Sequence, residues 1–144
     1  MHQGERIAEW GLRLRRVWAD DRGSVSAELV IATPLLLLVL LVVVQFALWS
    51  HATHIAQAAA SQGLATARSQ YGTAAAGTAS AQELLDQLAN GPLRDAAVST
   101  DRGAAAASVR ISGTSTSVVP FLTLPVHAEA AGPVERFVPG EASG

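Results

Sequence analysis

The clearest pattern along the chain is a block of apolar residues from Leu29 to Trp49, in which only Thr33 and Gln45 are polar. A helix of these 21 residues is about 31 Å long at about 1.5 Å per residue, which matches a bilayer core of about 30 Å. Pro34 is tolerated in a membrane helix, and Trp49 stands where an interfacial aromatic side chain is favoured. The block therefore predicts a transmembrane helix, because a buried core helix would need more surrounding chain.

Small and apolar residues continue at helical spacing after this block, which extends the predicted helix to about Tyr71. Four of them, spaced so that a second helix can approach closely, form what we call the small-residue seam: Ala56, Ala59, Ala60 and Gly63. The pattern leaves two alternatives open. The seam packs either against the helix of another subunit or against the chain's own domain.

The segment after Tyr71 predicts a loop and then a short helix. Residues 72–79 are rich in Gly, Ala and Thr and predict the loop. Residues 80–83 fit a capping box, which starts a helix that continues to Leu88. The Asn-Gly-Pro sequence at residues 90–92 ends this helix.

The last part of the chain predicts a few antiparallel strands. Residues 97–100 and 108–112 flank an Asp-Arg-Gly turn and predict a hairpin, with Val109 and Ile111 on one face. The tail from Pro133 is predicted as a last edge strand. So small a set of large apolar side chains makes a marginal core, which the long helix or partner subunits must complete.

These elements predict an α+β fold with three segments. Residues 1–23 form a basic cytoplasmic leader, and residues 24–71 form one helix that crosses the membrane at about residues 29–49 and continues outside it. Residues 72–144 form a small extracytoplasmic α+β domain that ends in a disordered tail after Pro139.

Composition and charge exclude several classes of protein. The chain has 144 residues, a mean hydropathy of +0.28 and no cysteine, so disulfide frameworks and thiolate metal sites are impossible. A net charge of −2 argues against a general nucleic-acid-binding protein, which would carry a basic patch.

The distribution of arginine predicts the orientation in the membrane. The first arginine after the apolar block is Arg68, whereas five precede it: Arg6, Arg13, Arg15, Arg16 and Arg22. The positive-inside rule therefore places the N-terminus in the cytoplasm and Ser50 to Gly144 outside the cytoplasmic membrane. A cleavable signal peptide has a similar beginning, but its apolar region is usually shorter than this block.

Candidate catalytic or metal-binding groups are scarce. His51 and His54 are three residues apart, but no carboxylate lies nearby in sequence, and the better interpretation is two polar residues on the wet face of the helix. No nucleophile elbow, phosphate loop or zinc-protease motif is present. We therefore predict no enzymatic activity, no cofactor, no metal and no small-molecule substrate.

Glu28, a charged residue directly before the apolar block, requires an explanation. An acidic residue in the first turn of a helix is stabilised by the macrodipole by about 0.3–1 kcal/mol, which is one possible role. The order of features is more specific: a basic leader, Gly23, a carboxylate five residues later and then an uninterrupted apolar helix. This order resembles the class III signal of type IV pilins, in which a prepilin peptidase cuts after the glycine and the apolar helix is retained.

The stretch "DRGSVSAELVIATPLLLLVLLVVVQFA" resembles the N-terminal motif of TadE-like proteins, minor pilins or pseudopilins of the tight-adherence (Flp-type) system. The closing segment "VVPFLTLPVHAEAAGPVERFVP" is similar to that of actinobacterial members. In one respect the chain departs from major Flp pilins, which are shorter and carry a tyrosine where Leu29 follows Glu28. This departure favours a minor component.

The resemblance implies cleavage between Gly23 and Ser24, which makes Glu28 the fifth residue of the mature chain. The new α-amine, with an ordinary pKa of about 7.7–8.0, and the Glu28 carboxylate can pair and fix the register between helices. The implied partners are the lipid bilayer, the prepilin peptidase, and other Flp/Tad pilins and TadE/TadF-like subunits. The alternative is a bitopic anchor that presents an exterior interaction domain and is not processed.

Overall fold

The computed structural model describes the backbone of residues 21–136 and the side chains from Val25 onward. Most of the predicted leader and the predicted disordered tail after Pro139 lie outside the described residues. Two helices and three strands follow one another along the chain: α1 (Asp21–Arg68), α2 (Ala74–Leu88), β1 (Leu93–Arg102), β2 (Ala106–Ser115) and β3 (Pro125–Pro133). The predicted α+β fold is therefore confirmed.

The chain divides into two units, with the boundary between Leu40 and Leu41. Among the described residues of the N-terminal unit, the large apolar side chains of α1 are exposed. Pro34 lies inside the helix, where it cannot donate the usual backbone hydrogen bond. The hydroxyl of the adjacent Thr33 donates to the carbonyl of Leu29, one turn earlier, at 2.7 Å, so this polar side chain is satisfied within the helix.

The C-terminal unit contains an antiparallel sheet in the order β1-β2-β3. The predicted hairpin is confirmed as the β1–β2 pair, in register from Ala97 opposite Ser112 to Arg102 opposite Ala107. Val109 and Ile111 are both buried on one face of the central strand, as the alternation predicted. That face packs against the C-terminal half of α1 and against α2.

The approach of α2 to α1 depends on two glycines. A Cβ at Gly63 would lie 2.8 Å from the carbonyl oxygen of Gly77 and 2.9 Å from the Cβ of Ala81. A Cβ at Gly77 would lie 2.7 Å from the Cβ of Ala67. Neither position leaves room for a side chain, so the two helix backbones are in direct contact.

The beginning of α2 differs from the sequence prediction. The helix starts at Ala74, with Thr73 as its N-cap, so residues 72–79 are mostly helix and the predicted loop is wrong. The Thr73 hydroxyl accepts from the backbone N–H of Ala76 at 3.0 Å. Ser80 lies inside the helix and is no cap, because Thr73 followed by three alanines starts a helix about two turns earlier. The predicted end is confirmed, since α2 stops at Leu88.

The third strand also differs from the prediction. It runs from Pro125 to Pro133, and Val134 to Arg136 are not in a strand, so the prediction of an edge strand beginning at Pro133 is wrong. Prolines stand at both of its ends, where an edge strand tolerates them. Its inward positions are Val126 and Ala128, which bury too little apolar surface to give a strong alternating pattern.

The C-terminal end of α1 is hydrogen-bonded to one end of the sheet. This end lies opposite the β2–β3 loop (residues 116–124). The Arg102 guanidinium donates to the backbone carbonyls of Ala67 and, at 3.1 Å, Ser69. The backbone N–H of Glu135 donates to the carbonyl of Arg68 at 2.8 Å. A cation on the last carbonyls of a helix also complements the negative end of its dipole.

Candidate membrane and assembly site

The N-terminal part of α1 has the length and composition of a membrane span. Within Val25–Arg68 the most apolar window of 18 residues has a mean hydropathy of 2.8, and only 6 % of that window is buried. A helix that exposes so many leucine and valine side chains is stable only if something apolar covers them. These features indicate a membrane anchor.

Gln45 interrupts this apolar surface and belongs to the folded C-terminal unit. Its side chain is 1 % exposed. Its Oε1 accepts from the backbone N–H of Val118 at 2.8 Å and of Val119 at 3.3 Å, and its Nε2 donates to the carbonyl of Thr116 at 3.1 Å and to the Ser115 hydroxyl at 3.4 Å. An amide that makes these contacts is bound to the start of the β2–β3 loop.

Trp49 lies one turn further along the same face of α1 and contacts the end of this loop. Its indole N–H donates to the carbonyl of Pro125 at 2.9 Å, and its ring centroid is 5.7 Å from that of Phe46. The predicted span included Gln45 and Trp49, whereas these hydrogen bonds assign both to the folded unit. We therefore infer that the membrane-facing stretch ends near Val44, and Val25 to Val44 still reach about 30 Å.

The predicted processing site and Glu28 lie in the N-terminal unit. Gly23 and Ser24 are the third and fourth residues of α1, which the structure describes from Asp21 onward. Glu28 is the eighth residue of this helix and is exposed. Within residues 25–136 no ion pair involves its carboxylate. The dipole falls off after the first turn, so it offers Glu28 little stabilisation in the uncut chain.

The small-residue seam is covered by the chain's own domain. Ala56, Ala59 and Ala60 are fully buried, and Gly63 is in contact with α2. Of the two alternatives that the sequence left open, this arrangement corresponds to packing within the chain. A helix from another subunit has no access to these residues while the domain is folded as described.

His51 and His54 are both exposed on α1, the position expected for polar residues on its wet face. A cleft of about 550 Å³ is lined by residues of all three strands, among them Arg110, His127 and Glu129. Arg110 and Glu129 form an exposed cross-strand ion pair there at 3.0 Å. The hydrogen bond and the charge of Glu129 raise the pKa of Arg110 above its usual value, so this guanidinium stays charged at any physiological pH.

Sequence reasoning missed the part that Gln45 plays. The one sign in the sequence is that Gln45 is a single amide in an otherwise apolar block. On sequence alone this residue belongs to the membrane helix with the rest of the block. Its partners lie about 70 residues further along the chain. No local pattern links them.

A membrane anchor that leads into a small α+β unit is thus the class of protein that these features define. Residues 23–65 match the model of the TadE family, described as TadE-like protein, which confirms the resemblance for this part of the chain. The match begins at Gly23 and includes Glu28. It supports a protein associated with the Tad pilus, and the family is one of structural pilus components rather than enzymes. No curated protein and no solved structure matches the chain.

Proposed function

We propose that the protein is a minor pilin or pseudopilin of a tight-adherence pilus, anchored in the cytoplasmic membrane by residues 25–44. The N-terminus lies in the cytoplasm and the C-terminal unit outside. A prepilin peptidase cuts between Gly23 and Ser24, and the mature subunit joins other Flp/Tad pilins and TadE/TadF-like subunits. The observation that supports this proposal most directly is the family match, which starts at the residue before the proposed cut and extends through α1 to residue 65.

Glu28 has a defined part in this proposal. Cleavage creates an α-amine at Ser24, and a carboxylate at this depth needs a partner of opposite charge because burial of an unpaired charge is costly. Within residues 25–136 no such partner is in place. The Ser24 amine of the same or a neighbouring subunit would supply it and set the axial register of the two helices.

The test is the change Glu28→Gln, with Glu83→Gln as the matched control. Glu83 is an exposed carboxylate on α2, far along the chain from the proposed cut. We expect Glu28→Gln to be processed normally but to lose crosslinking and co-purification with pilus partners, since the loss of a paired charge costs up to several kcal/mol. The control should behave as the wild type. Wild-type partner recovery and piliation with Glu28→Gln would refute the pairing.

A second candidate function is a bitopic anchor that is not processed. The observation in its favour is the burial of the small-residue seam, which removes one surface by which extracytoplasmic helices could bundle. In this case the exterior unit would bind another envelope protein through its sheet or α2. Full-length protein in host membranes would favour this alternative.

A further inference from the structure

The β2–β3 loop carries exposed apolar side chains at the end of the sheet nearest the anchor. Residues 116–124 contain no charged residue, and Val118, Phe121 and Leu122 are exposed there. Phe121 is the extreme case, since its side chain is fully exposed. The larger apolar side chains of the sheet itself are by contrast buried.

The backbone of Phe121 is also unusual. Its φ of 65° lies in the left-handed region, which bulky L-residues rarely adopt. Hydrogen bonding links the two sides of the loop: the Ser117 hydroxyl lies 2.6 Å from the carbonyl oxygen of Val119 and 2.7 Å from that of Leu122, and its single proton is donated to one or shared between them. A residue with a strained backbone conformation is a reason to look for function there. Here the strained residue also carries a fully exposed aromatic ring.

The place of the loop along α1 indicates what covers this ring. Gln45 and Trp49 bind its two ends, so the loop lies beside the helix at the level of these residues. In the same unit exposed apolar side chains of α1 stand on both sides of Gln45: Phe46 follows it, and residues 41–44 precede it. The apolar loop thus adjoins the exposed apolar residues of α1 with which the C-terminal unit begins.

We propose that the β2–β3 loop inserts into the outer interface of the bilayer beside the transmembrane helix. Phe121 and Leu122 enter the boundary between headgroups and acyl chains, a depth at which aromatic side chains are favoured. Lipid therefore covers the exposed apolar side chains of the loop. Together with α1, the loop gives the exterior unit a second attachment and fixes its rotation about the helix axis. This inference rests on the proposed anchor at residues 25–44.

Depth-dependent quenching in vesicles tests this proposal. The chain contains no cysteine, so one introduced cysteine carries a bimane label uniquely. The full chain with Thr123→Cys, an exposed loop position next to the proposed contact, is reconstituted in phosphatidylcholine vesicles with brominated acyl chains. We expect strong quenching by bromine near the headgroup and weak quenching by bromine near the chain end. Ala104→Cys, in the turn at the opposite end of the sheet, should show neither.

The matched variant is Phe121→Asn in the Thr123→Cys chain. Asparagine tolerates a positive φ, so the loop keeps its conformation while the ring is removed, and the quenching should be lost. Leu38→Cys, in the proposed span, tests the membrane anchor separately from the insertion of the loop. Quenching at Leu38 with none at Thr123 overturns the loop proposal and leaves the anchor intact, whereas no quenching at Leu38 overturns the anchor and the loop proposal with it. A photo-crosslinker at Phe121 that forms protein adducts instead of lipid adducts in host membranes also overturns it.

Discussion

Replacement of Gln45 by leucine distinguishes two roles for this residue. Hydropathy alone places it in the bilayer, whereas the structure binds it to the folded C-terminal unit. If Gln45 were a polar residue inside the bilayer, Gln45→Leu would favour insertion and cost nothing in folding. In the structure, however, the same change removes every side-chain hydrogen bond between Gln45 and the β2–β3 loop. The two residue types are similar in size and in helix propensity, so α1 itself should be unaffected.

The size of the effect follows from the two shorter hydrogen bonds. The bond from Gln45 Nε2 to the Thr116 carbonyl is 3.1 Å long and the bond from the Val118 N–H to Oε1 is 2.8 Å long. Each contributes about 0.5–1.5 kcal/mol, and a partly buried backbone group left without a partner costs about the same again. We expect a loss of at least about 2 kcal/mol in the free energy of unfolding, which is the lower end of the sum over two bonds and two backbone groups. This loss is roughly a 30-fold change in the unfolding equilibrium.

The assay is urea unfolding of the full chain in detergent micelles, followed by tryptophan fluorescence, together with hydrogen exchange of the loop amides. The matched control is Gln57→Leu on the same helix, which removes one exposed hydrogen bond of 3.3 Å to the Glu129 carbonyl and should change stability by less than about 0.5 kcal/mol. Gln45→Leu should also raise the exchange rates of Val118 and Val119. Unchanged stability and exchange in Gln45→Leu would refute the assignment of Gln45 to the folded unit.

Two further predictions concern the domain and its orientation. Gly63→Ala should destabilise the C-terminal unit by about 1–3 kcal/mol, since the added Cβ would lie 2.8 Å from the Gly77 carbonyl oxygen. Urea unfolding measures this loss, with Ser61→Ala at an exposed position as the control. A Gly63→Ala variant more stable than the wild type would contradict the close helix contact. For the orientation, a phosphatase fused to the C-terminus should be active and protease added to protoplasts should digest the chain after Ser50. An inactive phosphatase, with an active cytoplasmic reporter at the same position, would reverse the proposed topology.

The sequence predicted the elements whose signal is local and strong. The apolar block and the stripe behind it give α1, and the turn between two alternating segments gives the β1–β2 hairpin. The early start of α2 was missed because Gly77 and two threonines within residues 72–79 are typical of a loop. Gly77 is used there for the close contact with Gly63, a tertiary reason that the local sequence does not contain.

The candidate site was only partly predictable for a similar reason. The roles of Gly23, Ser24 and Glu28 were predicted from the spacing of a short linear motif, and they stay predictions. The contacts of Gln45 join positions far apart in the chain, and the positive φ of Phe121 results from loop closure. Long-range hydrogen bonds and backbone strain leave no periodic trace in a sequence. They appear only when the packing of α1 on the sheet is known.

The central claim, that this is a processed TadE-like pilus subunit, is tested most directly by the N-terminus of the protein from host membranes. Intact mass and N-terminal sequencing should show a chain that begins at Ser24, and Gly23→Leu, whose side chain should not fit the peptidase, should remain full length. Val25→Leu, with a similar apolar side chain beyond the proposed cut, is the control and should be processed. A wild-type chain that begins at Met1 or His2 would contradict the claim.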